Sequence, residues 1–127
     1  MAIQPEKPVL KPLEWVGSSK ADLEKFPGAA RREAGFALYL AQIGTRALNA
    51  KSLKGFGGAG VLEVVKDHRG DTFRSVYTVR IAGAVYVLHV FQKKSKHGIA
   101  TPRKEIELIR ARLRWAERLH AGKTEEG

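Results

Sequence analysis

The chain has 127 residues, no cysteine, and 23 Lys plus Arg against 13 Asp plus Glu, for a net charge of +10. That length suits one domain with a modest core, and a hydrophobic fraction of 43% excludes a disordered chain. The missing thiols exclude a disulfide framework, a thiolate zinc site and a cysteine nucleophile, and the excess positive charge points to an anionic partner: nucleic acid, an acidic membrane or an acidic protein.

Residues 1–12, broken by Pro5, Pro8 and Pro12, read as an extended N-terminal arm and lack the apolar run of a signal peptide. No stretch approaches the roughly 20 apolar residues that span a bilayer. The expectation is a soluble, cytoplasmic protein that does not enter membranes. Residues 13–120 are expected to form a single domain, and 121–127 a flexible tail.

The domain opens with "LEWVG", a short strand pattern, and then "SSKADLEKF", where Ser19 and Asp22 resemble a loose capping box ahead of Leu23 and Phe26. Pro27 separates this helix from a second one in "GAARREAGFALYLAQIG". There Phe36, Tyr39, Leu40 and Ile43 recur at i, i+3, i+4 and i+7, which predicts the buried face. "TRALNAKSLKGFGGAG" is irregular and lacks the "GK[ST]" of a phosphate loop. Three strands follow, "VLEVVKDH", "TFRSVYTVRIA" and "AVYVLHVFQKKS", joined by the hairpin-like connectors "HRGD" and "AGA". In the last strand Val85, Val87, His89, Phe91 and Lys93 alternate with Tyr86, Leu88, Val90, Gln92 and Lys94. Both sets are mostly apolar, so this strand should be covered on both sides. Thr101 as N-cap, Pro102 at N1 and Glu105 in the first turn start a final helix. Its apolar stripe is Ile106, Ile109, Leu113 and Ala116, and the rest is strongly basic. The fold class is α+β: a strand and two helices, an antiparallel meander of three strands, and a basic C-terminal helix.

The third strand of the meander ends in a cationic cluster, "FQKKSKHG", with Lys93, Lys94, Lys96 and His97. Converging cations would bind phosphates, with Arg74 or Arg80 contributing from a neighbouring strand, and an imidazole exchanges protons near neutral pH. A solvated strand end with protective lysines is the plainer reading. His89, among apolar neighbours, reads as a satisfied core histidine. His68 at a hairpin tip reads as solvent-exposed, His120 lies near the frayed C-terminal end, and Asp67 and Asp71 read as turn chemistry. Glu63 is expected to pair with an arginine across the sheet. The scattered histidines give no metal-ligand spacing, and no Ser nucleophile motif or dinucleotide fingerprint is present.

From Leu53 onward the segments "LKGFGGAGVLEVV", "TFRSVYTV", "AVYVLHVFQKKS" and "TPRKEIELIRARL" resemble the phage-derived, HigB-like branch of the RelE/ParE toxin superfamily. The resemblance covers about the last two thirds of the chain, and "LHVFQKKS…TPRKEIE" is its specific part. It implies a RelE-like fold and the toxin of a type II toxin–antitoxin pair, which cuts mRNA on the ribosome without a metal or other cofactor. The attacking group is the RNA 2′-hydroxyl. The implied partners are a cognate antitoxin protein, the ribosome and mRNA. An exposed apolar strip on a basic helix or groove would suit an amphipathic helix of the antitoxin.

Carried onto this sequence, the resemblance puts Arg74 and Lys93 or Lys94 in catalysis and Lys54 in its L-K-G segment. His97, just past the matched block, joins the catalytic candidates, and the positive charge adds Arg80, Lys96 and Lys104 to Lys54 as candidates for RNA contact. Arg74 would stabilise charge on the reacting phosphate. The chain departs from the pattern at Val65, where relatives often carry Arg. Lys66 and Arg80 are the candidates to stand in, but parity puts Lys66 on the opposite face from Val65. Two other functions stay open: a ParE-like toxin that inhibits DNA gyrase without cutting RNA, and a non-catalytic prophage remnant that only binds RNA.

Overall fold

Five strands form one sheet: β1 (Leu13–Trp15), β2 (Lys51–Ser52), β3 (Val61–His68), β4 (Asp71–Thr78) and β5 (Val85–Lys93). The computed structural model describes residues 9–57, 60–93 and 101–126. The strand order is β1-β5-β4-β3-β2, with β1 parallel to β5 and every other pairing antiparallel. Helices α1 (Ser19–Glu24) and α2 (Gly28–Gln42) cover one face, and α3 (Arg103–Glu126) covers the other. This is the expected α+β order, with β5 an interior strand covered on both sides. The two-residue edge strand β2 is an addition, since so short a pairing leaves no periodic trace in the sequence.

Each face has its own core. Leu62, Val64, Phe73, Tyr77, Val85, Val87 and Val90 pack under α1 and α2. Val61, Val76, Tyr86 and Leu88 pack under Ile109, Leu113 and Ala116 of α3, with Ile106 partly buried beside them. The predicted stripe of the last helix is therefore its inner face.

α2 turns a different face inward from the one its large side chains suggest. Ala30, Ala34, Ala37, Leu38 and Ala41 are buried, whereas Phe36 is 61% and Tyr39 41% exposed. The sheet's own Phe73 and Tyr77 fill the space between the layers, and alanines let the helix approach over them. A polar clamp fixes the rotation: Glu33 pairs with Lys66 of β3 at 3.4 Å and accepts from Asn49 Nδ2 at 2.8 Å.

β5 also departs from simple alternation. Val76 stands opposite His89 but Tyr77 stands opposite Val87, so Leu88 is an extra residue, a β-bulge. Val85, Val87 and Val90 face α2. Leu88 joins the α3 core, and His89 beside it bonds to Glu105 of α3. The bulge breaks the predicted parity and sends two consecutive side chains toward one helix.

The β3–β4 hairpin turns through Arg69 and Gly70, both at positive φ (51° and 88°), as a two-residue primed turn requires. The end of the N-terminal arm is tied to the domain. Lys11 exchanges two hydrogen bonds with Gln42, and Pro12 O accepts from Val85 N. The backbone of α3 continues through residues 121–126.

Candidate functional site

On the α3 side a cleft of about 620 Å³ opens between the β2–β3 edge of the sheet and the start of α3. The strand register builds its floor. Val65 lies opposite Arg74, Asp67 opposite Thr72, and Lys51 opposite Glu63, so one parity of three strands points into the same space.

Arg74 is the centre of that floor, and its side chain is only 3% exposed. Its Nη1 lies 3.5 Å from Glu63 Oε2 and donates to Thr101 Oγ1 at 3.2 Å. Thr101 Oγ1 in turn donates to Glu63 Oε2 at 2.7 Å. The three groups close a small network that fixes the guanidinium and offsets part of its desolvation cost. Glu63 thus pairs across the sheet as expected. Thr101, which looks like a helix cap in sequence, uses its hydroxyl to join the helix start to the sheet.

The rim carries Lys51 and Lys54, both exposed. Two arginines hold the turn that presents Lys54. Arg110 of α3 donates to Gly55 O at 3.0 Å with its guanidinium 4.9 Å from the Phe56 ring, and Arg80 Nη1 donates to Phe56 O at 3.2 Å. Arg80 is itself exposed and does not line the cleft. It braces the Lys54 turn instead of standing in for the cation missing at Val65. Lys66, the other substitute considered, faces α2 in its pair with Glu33. Val65, 36% exposed, leaves an apolar patch inside the cleft.

A second polar network lies deeper under α3. His89 is buried, stacks on Phe91 at 4.7 Å, and shares a hydrogen bond with Glu105 through Nε2. Arg112 Nη1 donates to Leu88 O at 2.9 Å and lies 3.4 Å from His89 Nδ1, while Nη2 donates to Ser18 Oγ at 3.3 Å. These partners assign a neutral imidazole that donates from Nε2 and accepts at Nδ1. Burial holds its pKa below the usual histidine value, although Glu105 pulls it up. Gly17 makes the arrangement possible: at φ +58° it lacks the Cβ that would sit 2.9 Å from the Arg112 guanidinium. His89 is thus a satisfied core histidine.

Of the residues singled out from sequence, the cleft gathers Arg74 and Lys54. Lys93 stands opposite Thr72 on the same sheet face. Lys104 is exposed on α3 and outside the cleft lining. Lys94, Lys96 and His97 lie outside the described residues. Sequence reasoning missed Lys51 and Thr101 as cleft residues and took Asp67 for turn chemistry. The signal for Asp67 was parity with Glu63 along one strand. Among the described residues no three His, Cys, Asp or Glu side chains gather as a metal-holding group, and no helix is long and apolar enough to cross a membrane.

Comparison with known proteins adds a family. No curated protein sequence matches the chain significantly. Among solved structures, a chain of the toxin-antitoxin complex RelBE2 from Mycobacterium tuberculosis is similar at 20% identity and a TM-score of 0.44, over 72% of this chain and 100% of that one. The family model of the phage-derived Gp49-like proteins (DUF891) matches residues 21–114, most of the chain, and the protein belongs to that family.

Proposed function

We propose that the chain is the toxin of a type II toxin–antitoxin pair, an endoribonuclease that cuts mRNA in the ribosome and is neutralised by a cognate antitoxin. The carrying observation is the buried Arg74, fixed by Glu63 and Thr101 on the floor of a cleft whose rim bears Lys51 and Lys54. An oriented guanidinium in a low-dielectric site is suited to the charge that grows on a phosphate under attack. The family match and the RelE/HigB-like segments support the same reading.

In this mechanism the 2′-oxygen forms a bond to the adjacent phosphorus and the bond to the 5′-oxygen breaks. One proton leaves the 2′-hydroxyl and one reaches the departing 5′-oxygen. Arg74 stabilises the phosphorane oxygens, and Lys51 and Lys54 hold flanking phosphates. Lys93, Lys94 and His97 are the candidates for proton transfer. The net charge of +10 favours association with ribosomal RNA through counterion release.

Primer extension on a defined mRNA, with and without translating ribosomes, tests the reading. Codon-phased cuts on translated mRNA are expected. Arg74→Lys is a cleaner probe than alanine, because alanine would leave Glu63 without its buried partner. It should lower the cleavage rate by about 10²-fold, the loss seen when one oriented donor is removed. Absence of cuts would sink the proposal. Salt-sensitive ribosome binding without cuts would then identify a non-catalytic RNA binder, which the apolar Val65 in the cleft favours as the second reading. A supercoiling assay addresses gyrase.

A further inference from the structure

The inner stripe of α3 is committed to the sheet, yet the helix carries a second apolar line on its outside. Leu108 is 38%, Trp115 50% and Leu119 43% exposed, and Ala111 between them is exposed too. The steps of three, four and four place them within an arc of about 80° and along about 17 Å of the helix. Isolated exposed apolar residues are ordinary, but a collinear set that includes a half-exposed Trp is a patch. Trp115, Leu119 and Arg118 also enclose a shallow depression.

The rim of this strip is cationic. Lys104 lies at its start and Arg114 and Arg118 line one side of its far half, all exposed, while Arg112 and Glu105 on the other side are held by Leu88 O, Ser18 and His89. Glu107 on the same side is paired with Arg103 at 3.4 Å. The spacing of the apolar residues matches the alternating three- and four-residue steps that a second helix recognises, and the rim charge selects for carboxylates beside that seam. A second copy of this chain would bring an equal net charge of +10 against the same rim. A single-stranded RNA would use the Trp and the arginines but leave the aliphatic part of the line uncovered.

We propose that the outer face of α3, centred on Trp115, docks an acidic amphipathic helix of a partner protein. Under the toxin reading, on which this assignment rests, that helix belongs to the antitoxin and binds away from the cleft.

The test uses the full chain and a synthetic helical peptide of about three heptads, with Leu at a and d and Glu at e and g. Anisotropy should show binding by this peptide and much weaker binding by its Lys-flanked counterpart. Trp115→Ala should weaken binding by at least about 30-fold, the scale of an interface hot spot. Arg114→Glu with Arg118→Glu should reverse the preference toward the Lys-flanked peptide, a gain that misfolding cannot produce. Equal binding by wild type and Trp115→Ala would overturn the proposal. So would a preference for oligouridylate over the acidic peptide, or self-association that Trp115→Ala abolishes. Cleavage by Trp115→Ala in the primer-extension assay is measured separately and should equal wild type. Loss of cleavage in every form of the protein would therefore refute the nuclease reading and leave the docking result standing.

Discussion

The two faces of the central sheet are built from different chemistry. Under α2 the contacts are alanine against valine, leucine and aromatic rings, with the main polar clamp, Glu33 to Lys66, at the edge of the layer. Under α3 the apolar core shares its space with two buried polar networks, Glu63–Arg74–Thr101 and His89–Glu105–Arg112. A face made mainly of small and large apolar groups gains its free energy chiefly from burial. A face that buries a guanidinium and an imidazole has to satisfy each polar atom to avoid a net cost. Both faces therefore supply stability through their apolar cores, and the α3 face in addition holds charges in fixed positions where a ligand can use them.

The largest expected effect lies on the α2 face. Phe73 is 6% exposed and meets Phe26 edge to face at 4.9 Å. Phe73→Ala should cost about 3–5 kcal/mol in urea unfolding. If the division between faces is right, the fraction that stays folded should keep its full cleavage rate. A proportionate loss of rate per folded molecule would show that the faces are coupled.

Glu63→Gln probes the other face with a smaller effect. The amide keeps the shape and still accepts from Thr101, but it no longer neutralises Arg74. Stability should fall by about 1–3 kcal/mol. RNA should bind more tightly, since a carboxylate that competes with phosphate for Arg74 is gone. Unchanged stability with weakened RNA binding would contradict that account.

The same contrast explains what the sequence revealed. The α3 face was legible where one strong local rule acted. The Thr101–Pro102 start and the stripe through Ile106, Ile109, Leu113 and Ala116 located α3, and the apolar residues at both parities marked β5 as covered on both sides. Strand parity also put Lys66 on the opposite face from Val65, and an arginine partner for Glu63 was expected across the sheet, but naming Arg74 needed the strand register. The α2 face was misread because Phe36 and Tyr39 have helical spacing, but so do Ala30, Ala34, Ala37 and Ala41. Fit against Phe73 and Tyr77 chooses between them, and fit is a tertiary property. The bulge at Leu88 has no local marker, so the inward turn of both Leu88 and His89 was hidden. Lys51 was hidden because it belongs to a strand of two residues, and Thr101 because a capping hydroxyl and a network hydroxyl look alike in sequence.

The His89 network gives a milder, pH-dependent effect. Burial lowers the folded-state pKa of His89 below its ordinary value, so the unfolded chain binds more protons in the interval between the two. Stability from this group is complete above about 6.5, the ordinary histidine value, and declines as pH falls below it until the lowered folded-state value is passed. His89→Gln should flatten that part of the stability-against-pH curve, even if the variant is less stable throughout. An unchanged slope would assign the acid sensitivity to carboxylates.

The smallest effect tests the least expected feature of the α2 face. Phe36→Ser removes a large aromatic side chain from a helix, which would cost several kcal/mol if the ring were part of the core. At 61% exposure, with the alanines facing inward, the change should stay within about 0.5 kcal/mol of wild type. Ala37→Leu, one position along, puts a much smaller change into the contact with the sheet, yet it should cost more, about 1–3 kcal/mol from overpacking. The ratio of the two effects measures the rotation of α2 directly. If Phe36→Ser were the more damaging of the pair, the helix would be packed through its aromatic face, and the close alanine layer between α2 and the sheet would not exist.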